Sequence, residues 1–443
     1  MAGRVQLQTS GGPREKHFTA NPEFSFYNSV YRRTLSYSKE TFDVEADNVP
    51  DFGSRVRFRL PQNGGDVLTN LAFRLRLPAV TATYGWIESV AHALVEWVEI
   101  QIGEVPVQRL TSDFLQIHSE HYVTQTKQKA LYNLIGKYPE RSADLPVSSR
   151  TILHHLGGAA GETDWRFDIP FWFYGHERWA LPLCAFRNKE VHVVVKLRDV
   201  GPLVQYDNGV FMQRPDVSSL DLHLKEFTLE AEVGWVDGAE RVRLQNTSTD
   251  FVITQIQQES FFIDAGETEI KVATQFVHPV KELYFVIQRE DLGQLTTPYY
   301  FCSPFDYDNI VETNGADPAV EYGKFKDGEL VLFEHLRTLK IRLDDDVILD
   351  EITGGVNFLK AVQSGIHHSK TQLIRRFYSY AFGLDPEHPR PSGSVDFTPI
   401  RNQVFEFSLN PNPDFKRNIR IYALSHNILR VREGDVSVLF HSR

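Results

Sequence analysis

The sequence predicts an all-β protein made of two tandem β-sandwiches with short helices in long loops, and three observations favour this fold class. Short runs rich in aromatic and β-branched residues recur along the chain, and most alternate between apolar and charged residues. The order of these runs is similar in the two halves. The chain of 443 residues also exceeds the size at which a single hydrophobic core usually stops growing.

The strand-like runs alternate with a period of two, which is typical of half-buried antiparallel strands. In the first half they are RVRFRL (55–60), LAFRLRL (71–77), EWVEIQI (96–102), EVHVVVKL (190–197) and SLDLHLKEFTLEAEV (219–233). The second half repeats them as TEIKVATQF, ELYFVIQ, TLKIRL, QVFEFSL and NIRIYAL. Eight or so short strands per half, joined by long crossings, favour a Greek-key sandwich or a jelly roll.

Three pairs of longer segments indicate an internal duplication. DVLTNLAFRLRL resembles HPVKELYFVIQ about 212 positions later, and a strand pair with a helix-like stretch at 93–122 resembles one at 337–369. The third pair is the crossing from 167 to 197 and the crossing from 382 to 410. In the second pair, we expect Ser112 or Asp113 to cap the first helix and Thr353 to cap the second.

These features predict four regions. We expect an N-terminal arm at residues 1–30, a first jelly roll at 31–234, an interdomain linker at 235–249 and a second jelly roll at 250–443. The linker is assigned where strand alternation stops and polar residues gather. Two long loops, 142–164 and 293–328, are expected to be functional surface loops or to form an interface, as loops of that length usually are.

The crossing at 382–410 contains several residues that restrict the backbone. Pro386, Pro389 and Pro391 each have a fixed φ, and Gly393 can supply a positive φ where the chain turns. The crossing is therefore expected to be an ordered surface loop. It either abuts a neighbouring subunit or only closes the end of its own sandwich.

Composition and charge argue against several protein classes. A content of 42% hydrophobic and 24% charged residues, with 31 Phe and 17 Tyr, is typical of a packed globular protein. The net charge of −11 argues against a surface that binds nucleic acid directly. We expect no secretory signal and no membrane span. Cys184 and Cys302 are expected to be buried free thiols.

The sequence contains few residues arranged for chemistry. It has no phosphate-binding loop, no H-E-x-x-H motif and no C-x-x-C pair. His118 and His121 share a helix face, but no third metal ligand follows from the sequence, and the pairs His154-His155 and His367-His368 lack ligand spacing. The latter two pairs are expected at a surface or interface. We therefore predict no catalytic, cofactor-binding or metal site.

Two further motifs have simple interpretations. The acidic run Asp344-Asp345-Asp346 cannot point all its carboxylates one way on a strand, so a solvated hairpin turn is expected rather than a cation site. Asn246-Thr247-Ser248 matches the N-glycosylation acceptor pattern, which makes Asn246 a possible glycosylation site.

Five segments, in this order along the chain, resemble one family of virus proteins. They are FTANPEFSFYNSVYRRTLSYSKETFDV (18–44), IPFWFYGHERWALPLCAFRNKEVHVVVKL (169–197), LKEFTLEAEVGWVDGAERVRL (224–244), PSGSVDFTPIRN (391–402) and SVLFHSR (437–443). The chain is similar, over nearly its whole length, to the major capsid proteins of the nucleocytoplasmic large DNA viruses, which include iridoviruses and phycodnaviruses. Asn21-Pro22 and Tyr31-Arg32-Arg33 stand where that family's N-terminal signature is expected.

The resemblance implies two eight-stranded jelly rolls per subunit and a homotrimer of pseudo-hexagonal outline. Such trimers would tile an icosahedral virion shell over an internal viral membrane, with minor capsid and penton proteins as partners, after assembly in the host cytoplasm. The N-terminal arm would lie on the inner side. The resemblance implies a structural protein without cofactors.

Two other functions compete with a shell subunit. A carbohydrate-binding, lectin-like double sandwich would need exposed aromatic residues such as Trp172, Tyr174 and Trp179 to stack on sugars. A jelly-roll glycosidase would need two carboxylates facing one cleft, and the sequence alone places no two together.

Overall fold

The computed structural model divides into two compact units, Met1–Tyr37 and Ser38–Arg443, and the larger unit contains both sandwiches. The structure describes residues 33–80, 84–87, 89–136, 163–186, 189–206, 216–218, 220–290, 335–369, 377–411 and 415–440, two strands of two residues each near 325–330, and isolated positions before residue 33. The predicted outer loops at 142–164 and 293–328 lie almost wholly outside the described residues, as do Cys302 and His154-His155.

The first half forms two facing antiparallel sheets. Its described strands are β1 (Tyr37–Val44), β2 (Arg55–Arg59), β3 (Val67–Leu77), β4 (Tyr84–Trp86), β5 (Val95–Ile102), β6 (Val105–Thr111), β7 (Thr163–Asp168), β8 (Val191–Leu197), β9 (Val204–Tyr206) and β10 (Glu226–Val236). The sheet orders are β1-β10-β3-β7 and β2-β8-β5-β6, and β4 pairs with β9. The helices are α1 (Val90–Leu94), α2 (Ser112–His121) and α3 (Gln125–Ile135), with 3-10 turns at Glu177–Trp179, Leu183–Ala185 and Gly201–Leu203.

The second half follows helix α4 (Gly238–Asn246). Its described strands are β11 (Thr249–Ile263), β12 (Glu269–Thr274), β13 (Pro279–Arg289), β14 (Phe325–Lys326), β15 (Glu329–Leu330), β16 (Leu336–Leu343), β17 (Asp346–Leu349), β18 (Phe377–Ala381), β19 (Val395–Asp396), β20 (Gln403–Leu409), β21 (Arg417–Arg432) and β22 (Asp435–Val438). The main sheets have the orders β11-β21-β13-β18, with β19 and β22 paired at its margins, and β12-β20-β16-β17. A π-helical turn at Phe358–Val362 leads into α5 (Gln363–His367).

The two halves share one topology. Replacing each strand of the first half by its counterpart in the second converts one pair of sheet orders into the other. The pairs β3/β13 and β8/β20 keep the same spacing along the chain, from Val67 to Pro279 and from Val191 to Gln403. This topology is that of a jelly roll, so the prediction of an all-β protein with two tandem jelly rolls is confirmed.

The sheet that contains β13 and β21 is buried on both faces. Leu283, Phe285 and Ile421 point into the core of the second roll. Tyr284 and Tyr422, which alternate with them, join the core of the first roll. Strands covered on both faces read as continuous apolar runs, and β13 accordingly shows no polar alternation at ELYFV.

Both predicted helix caps are wrong. The N-cap of α2 is Thr111, whose hydroxyl accepts from the backbone N–H of Phe114 at 3.4 Å, so the helix begins one residue earlier than expected. Thr353 caps no helix, because its hydroxyl donates to the Asp350 carboxylate at 2.7 Å within a turn. That carboxylate also accepts from the backbone N–H of Thr353 at 2.8 Å, which is the bonding of an Asx-type turn.

The predictions for two turns are confirmed. The acidic run forms the exposed hairpin turn between β16 and β17, with Asp344 at a φ of 50°. Gly393 has a φ of 136°, as expected for a turn in the second crossing. Cys184 is a free thiol as predicted, but it is half-buried rather than buried, and burial raises its pKa to about 11. No helix in the described part of the chain is long and apolar enough to cross a membrane.

Candidate functional site

The candidate site is the interface between the two jelly rolls, where polar groups lie within an apolar contact. The central element is α2, which follows β6 of the first roll and packs on the outer face of the sheet that contains β13 and β21. A second link joins the rolls where the Gln255 side chain of β11 donates to the backbone carbonyl of Val107 at 2.8 Å. The chain thus connects its two rolls by side chains as well as by the segment that contains α4.

An ion pair anchors the first turn of α2 to the second roll. Oδ2 of Asp113 lies 2.9 Å from Nε of Arg420 and accepts the Tyr422 hydroxyl at 2.5 Å. The Arg420 guanidinium also donates to the Gln288 side chain at 2.7 Å. Burial, together with the adjacent Asp113 carboxylate, raises the pKa of Tyr422 well above its ordinary value, so the hydroxyl remains a donor. A negative charge in the first turn also suits the helix dipole.

At the other end of α2, three buried side chains from separate elements meet. His121 ends the helix, Glu282 lies on β13, and His368 follows α5. One ligand atom from each lies within 4.8 Å of the others. Nε2 of His368 is 2.5 Å from Oε1 of Glu282, and the two imidazole rings stack with centroids 4.1 Å apart.

Further polar groups surround this cluster. The hydroxyl of Tyr284 lies 3.4 Å from Nδ1 of His121 and 3.3 Å from Nε2 of His368. The Tyr122 hydroxyl donates to Glu282 at 3.4 Å, and Nδ1 of His368 lies 3.3 Å from a carboxylate oxygen of Glu387. Burial on its own would lower the pKa of His368, but the two carboxylates raise it to about 9.

A cavity of about 490 Å³ lies beside the cluster. The two crossings that the sequence paired both line its wall, one with residues 170–172 and 174–176 and the other with Asp385 and 387–389. Burial lowers the pKa of His118 to about 4 and that of Lys281 to about 8, and both side chains line the cavity. The second crossing therefore contributes to the contact between the rolls as well as covering its own sandwich.

The structure changes the interpretation of several residues. The sequence placed His367-His368 at a surface or interface: His367 is partly exposed, whereas His368 is buried between the rolls. His121 and His118 do share α2, but only His121 belongs to the cluster. The partners of His121 are more than 150 residues away, so ligand spacing gave no signal for them. The one signal was the repeat, in which His121 and His368 occupy matching places.

The aromatic residues considered for sugar binding are not an exposed platform. Trp172 is buried, and Tyr174 and Trp179 are only partly exposed. The expectation of exposed stacking side chains is therefore wrong for Trp172. Asn246 is exposed at the end of α4, and its possible glycosylation stays a prediction.

Comparison with known proteins identifies the family. Residues 25–231 match the family model described as "Major capsid protein N-terminus", and residues 240–437 match the model described as "Large eukaryotic DNA virus major capsid protein". The chain belongs to this family of major capsid proteins. The resemblance noted in the sequence is thereby confirmed, and so is a structural, non-enzymatic role in the viral capsid.

Relatives and solved structures agree with this assignment. The chain is 22% identical to the major capsid protein of Phaeocystis pouchetii virus and 24% identical to that of Pyramimonas orientalis virus, in each case over 98% of both chains. Its fold matches the quasi-atomic model of the PBCV-1 virus capsid with a TM-score of 0.74, at 18% identity over 94% of this chain and 100% of that one. The Faustovirus major capsid protein gives a TM-score of 0.70, at 11% identity over 97% and 96% of the two chains.

Proposed function

We propose that three copies of this chain form a capsomer of pseudo-hexagonal outline and that many such capsomers tile an icosahedral shell. The observation that supports this most directly is the matched strand order of the two jelly rolls. Three chains with two similar rolls each supply six similar units around a threefold axis, which suits sixfold packing by a trimer.

The remaining parts of the proposal rest on family membership. The N-terminal arm, residues 1–30, lies on the inner side of the shell, towards the internal viral membrane, and minor capsid and penton proteins bind the shell. Assembly takes place in the host cytoplasm. The first jelly roll comprises 31–234, the linker 235–249 and the second jelly roll 250–443, which is supported by the position of α4 between β10 and β11.

An exposed apolar pair on the second roll is a good candidate for a contact between subunits. Ile366 is 68% exposed and Leu384 is 82% exposed. A hydrogen bond joins the two segments that carry them, because Nδ1 of His367 is 3.1 Å from the backbone carbonyl oxygen of Leu384. Burying such side chains between subunits would stabilise a trimer by about 1.5–3 kcal/mol each.

Light scattering coupled to size exclusion tests the proposal. The purified chain should elute with a mass about three times its 50.9 kDa, and electron micrographs should show six-cornered particles. The double variant Ile366→Glu/Leu384→Glu should weaken the trimer, whereas Val242→Glu, at an exposed apolar position on α4, should not. A monomer at high concentration, without larger assemblies, would overturn the trimer. If the double variant still forms the trimer as well as the unaltered chain does, the proposed contact at Ile366 and Leu384 is excluded but the trimer is not.

A further inference from the structure

The cluster of His121, Glu282 and His368 has the composition of a metal site. We propose that it binds one divalent transition-metal ion, with Zn²⁺ as the best fit, and that the ion fastens the two jelly rolls together. The three side chains come from both rolls, they are buried, and their ligand atoms lie within 4.8 Å of one another. No other group of three such ligands occurs within the described ranges of the chain.

The type of donor selects the class of ion. Two imidazoles and one carboxylate are a ligand set that zinc accepts, with a fourth position left for a hydroxyl or a water. Ca²⁺ and Mg²⁺ require six or more oxygen ligands, which three side chains with two nitrogen donors do not supply. The Tyr284 hydroxyl, within 3.4 Å of both histidines, is placed to occupy or orient the fourth position.

The surroundings of His368 resemble the support that metal-binding histidines receive. Its Nδ1 faces the Glu387 carboxylate, so its Nε2 is directed at Glu282 and the centre of the cluster. The Glu387 carboxylate is itself held by the backbone N–H of Ser369 at 2.6 Å and by the Ser369 hydroxyl at 2.5 Å. A carboxylate behind a ligating histidine fixes the ring orientation and raises its basicity.

His368 and Glu282 lie closer together than two ligands of one metal ion would. Nε2 of His368 and Oε1 of Glu282 are 2.5 Å apart, which is a hydrogen-bond distance. Ligand bonds of about 2.1 Å in a tetrahedral site place donor atoms about 3.4 Å apart, so the pair would separate by about 0.9 Å. Binding of the ion therefore requires a small movement of the Glu282 or the His368 side chain.

The ion also has a route to the cluster. The cavity between the rolls is lined by Tyr122 and Glu387, and both of these side chains contact the cluster directly. An ion that enters the cavity is therefore separated from the ligands by side chains that bond to them directly.

The test uses the purified full-length chain. We expect about one zinc ion per chain by mass spectrometry of metals, loss of that ion and a lower thermal midpoint after treatment with a chelator, and recovery of both on adding Zn²⁺. Co²⁺ in place of Zn²⁺ should give the visible absorption of a four-coordinate site with nitrogen ligands.

Variants separate this site from surface binding. His121→Gln and His368→Gln should each lower zinc affinity by more than tenfold, and Glu387→Gln, which keeps all three ligands, should lower it by about 10- to 100-fold. His367→Gln is the matched control, because His367 is adjacent in sequence and partly exposed and bonds to the Leu384 carbonyl. This variant should bind zinc like the unaltered chain.

Three outcomes would overturn the inference. The first is an unaltered chain that neither contains nor takes up metal and whose midpoint responds to neither chelator nor zinc. The second is full metal binding by the His121→Gln/His368→Gln double variant. The third is loss of metal binding in His367→Gln. Either of these last two results would indicate an adventitious ion only. Should the histidine variants fail to fold, the metal content and cobalt spectrum of the unaltered chain still decide the question.

Discussion

Removing the Asp113 carboxylate should lower the free energy of unfolding more than removing an exposed carboxylate that also pairs with an arginine. Asp113→Ala breaks the 2.9 Å contact with Arg420 and leaves the Tyr422 hydroxyl without its 2.5 Å acceptor. The side chains of Asp113 and Arg420 are only 21% and 15% exposed. Breaking a buried ion pair costs about 3–5 kcal/mol, and partial exposure places this pair near the lower value. We therefore expect a loss of about 3 kcal/mol in the free energy of unfolding.

Urea denaturation, followed by tryptophan fluorescence, measures this loss. Asp250→Ala is the matched control, because Asp250 also pairs with an arginine, Arg430, at 2.8 Å, but within one roll and with 42% of its side chain exposed. That variant should lose less than about 1 kcal/mol. Asp113→Asn should fall between the two, since the amide oxygen still accepts from Tyr422. Equal losses in Asp113→Ala and Asp250→Ala would refute the reasoning.

Three further predictions concern single positions. Gly354→Ala should severely destabilise the second roll, because the new Cβ would lie 1.8 Å from a backbone carbonyl oxygen of β16. Gly355→Ala should be tolerated, because the space around its Cβ is open. Equal thermal midpoints of the two variants would contradict this prediction. Burial keeps the pKa of His118 at about 4, so the folded protein leaves it neutral while the unfolded chain protonates it below its ordinary pKa of 6.5. When the pH falls from 7 to 5, the free energy of unfolding should therefore decrease by about 2 kcal/mol more in the unaltered protein than in His118→Gln. Parallel plots of unfolding free energy against pH for the two proteins would exclude this. Burial raises the pKa of Cys184 to about 11, so at pH 8 its thiol should react with a thiol reagent about a hundredfold more slowly in the folded than in the unfolded protein. The rates are measured in a Cys302→Ser background. Equal rates in the two states would exclude protection of the thiol by burial.

The sequence predicted the strands well because most of them face solvent on one side only. In β10 and β20 every second residue is buried, and that alternation is visible in the sequence. The repeat then identified β3 and β13 as equivalents. The helix caps were harder, because Thr111 and Ser112 are both good capping residues and the choice between them depends on where β6 ends.

The interface was much less predictable than the sandwiches. The continuous apolar run of β13 indicates a strand that is buried on both faces of its sheet. The run does not indicate that α2 is the element packed against one of those faces. The partners of Asp113 lie more than 300 residues away along the chain. Such contacts depend on how two complete rolls dock, and alternation within a strand carries no information about docking.

The polar groups inside the interface have a different physical role from the apolar ones. Apolar burial between α2 and the outer face of the β13–β21 sheet supplies favourable free energy, but it is not directional and permits many relative orientations of the rolls. The Asp113–Arg420 pair at one end of α2 and the His121–Glu282–His368 cluster at the other require defined distances, and each costs desolvation unless those distances are met. Two polar anchors at opposite ends of one helix fix its rotation as well as its position. A shell subunit that repeats many times needs such a fixed angle, because a small variation between rolls would accumulate across neighbouring subunits. We infer that the duplicated chain uses apolar area for stability and these two polar anchors for geometry.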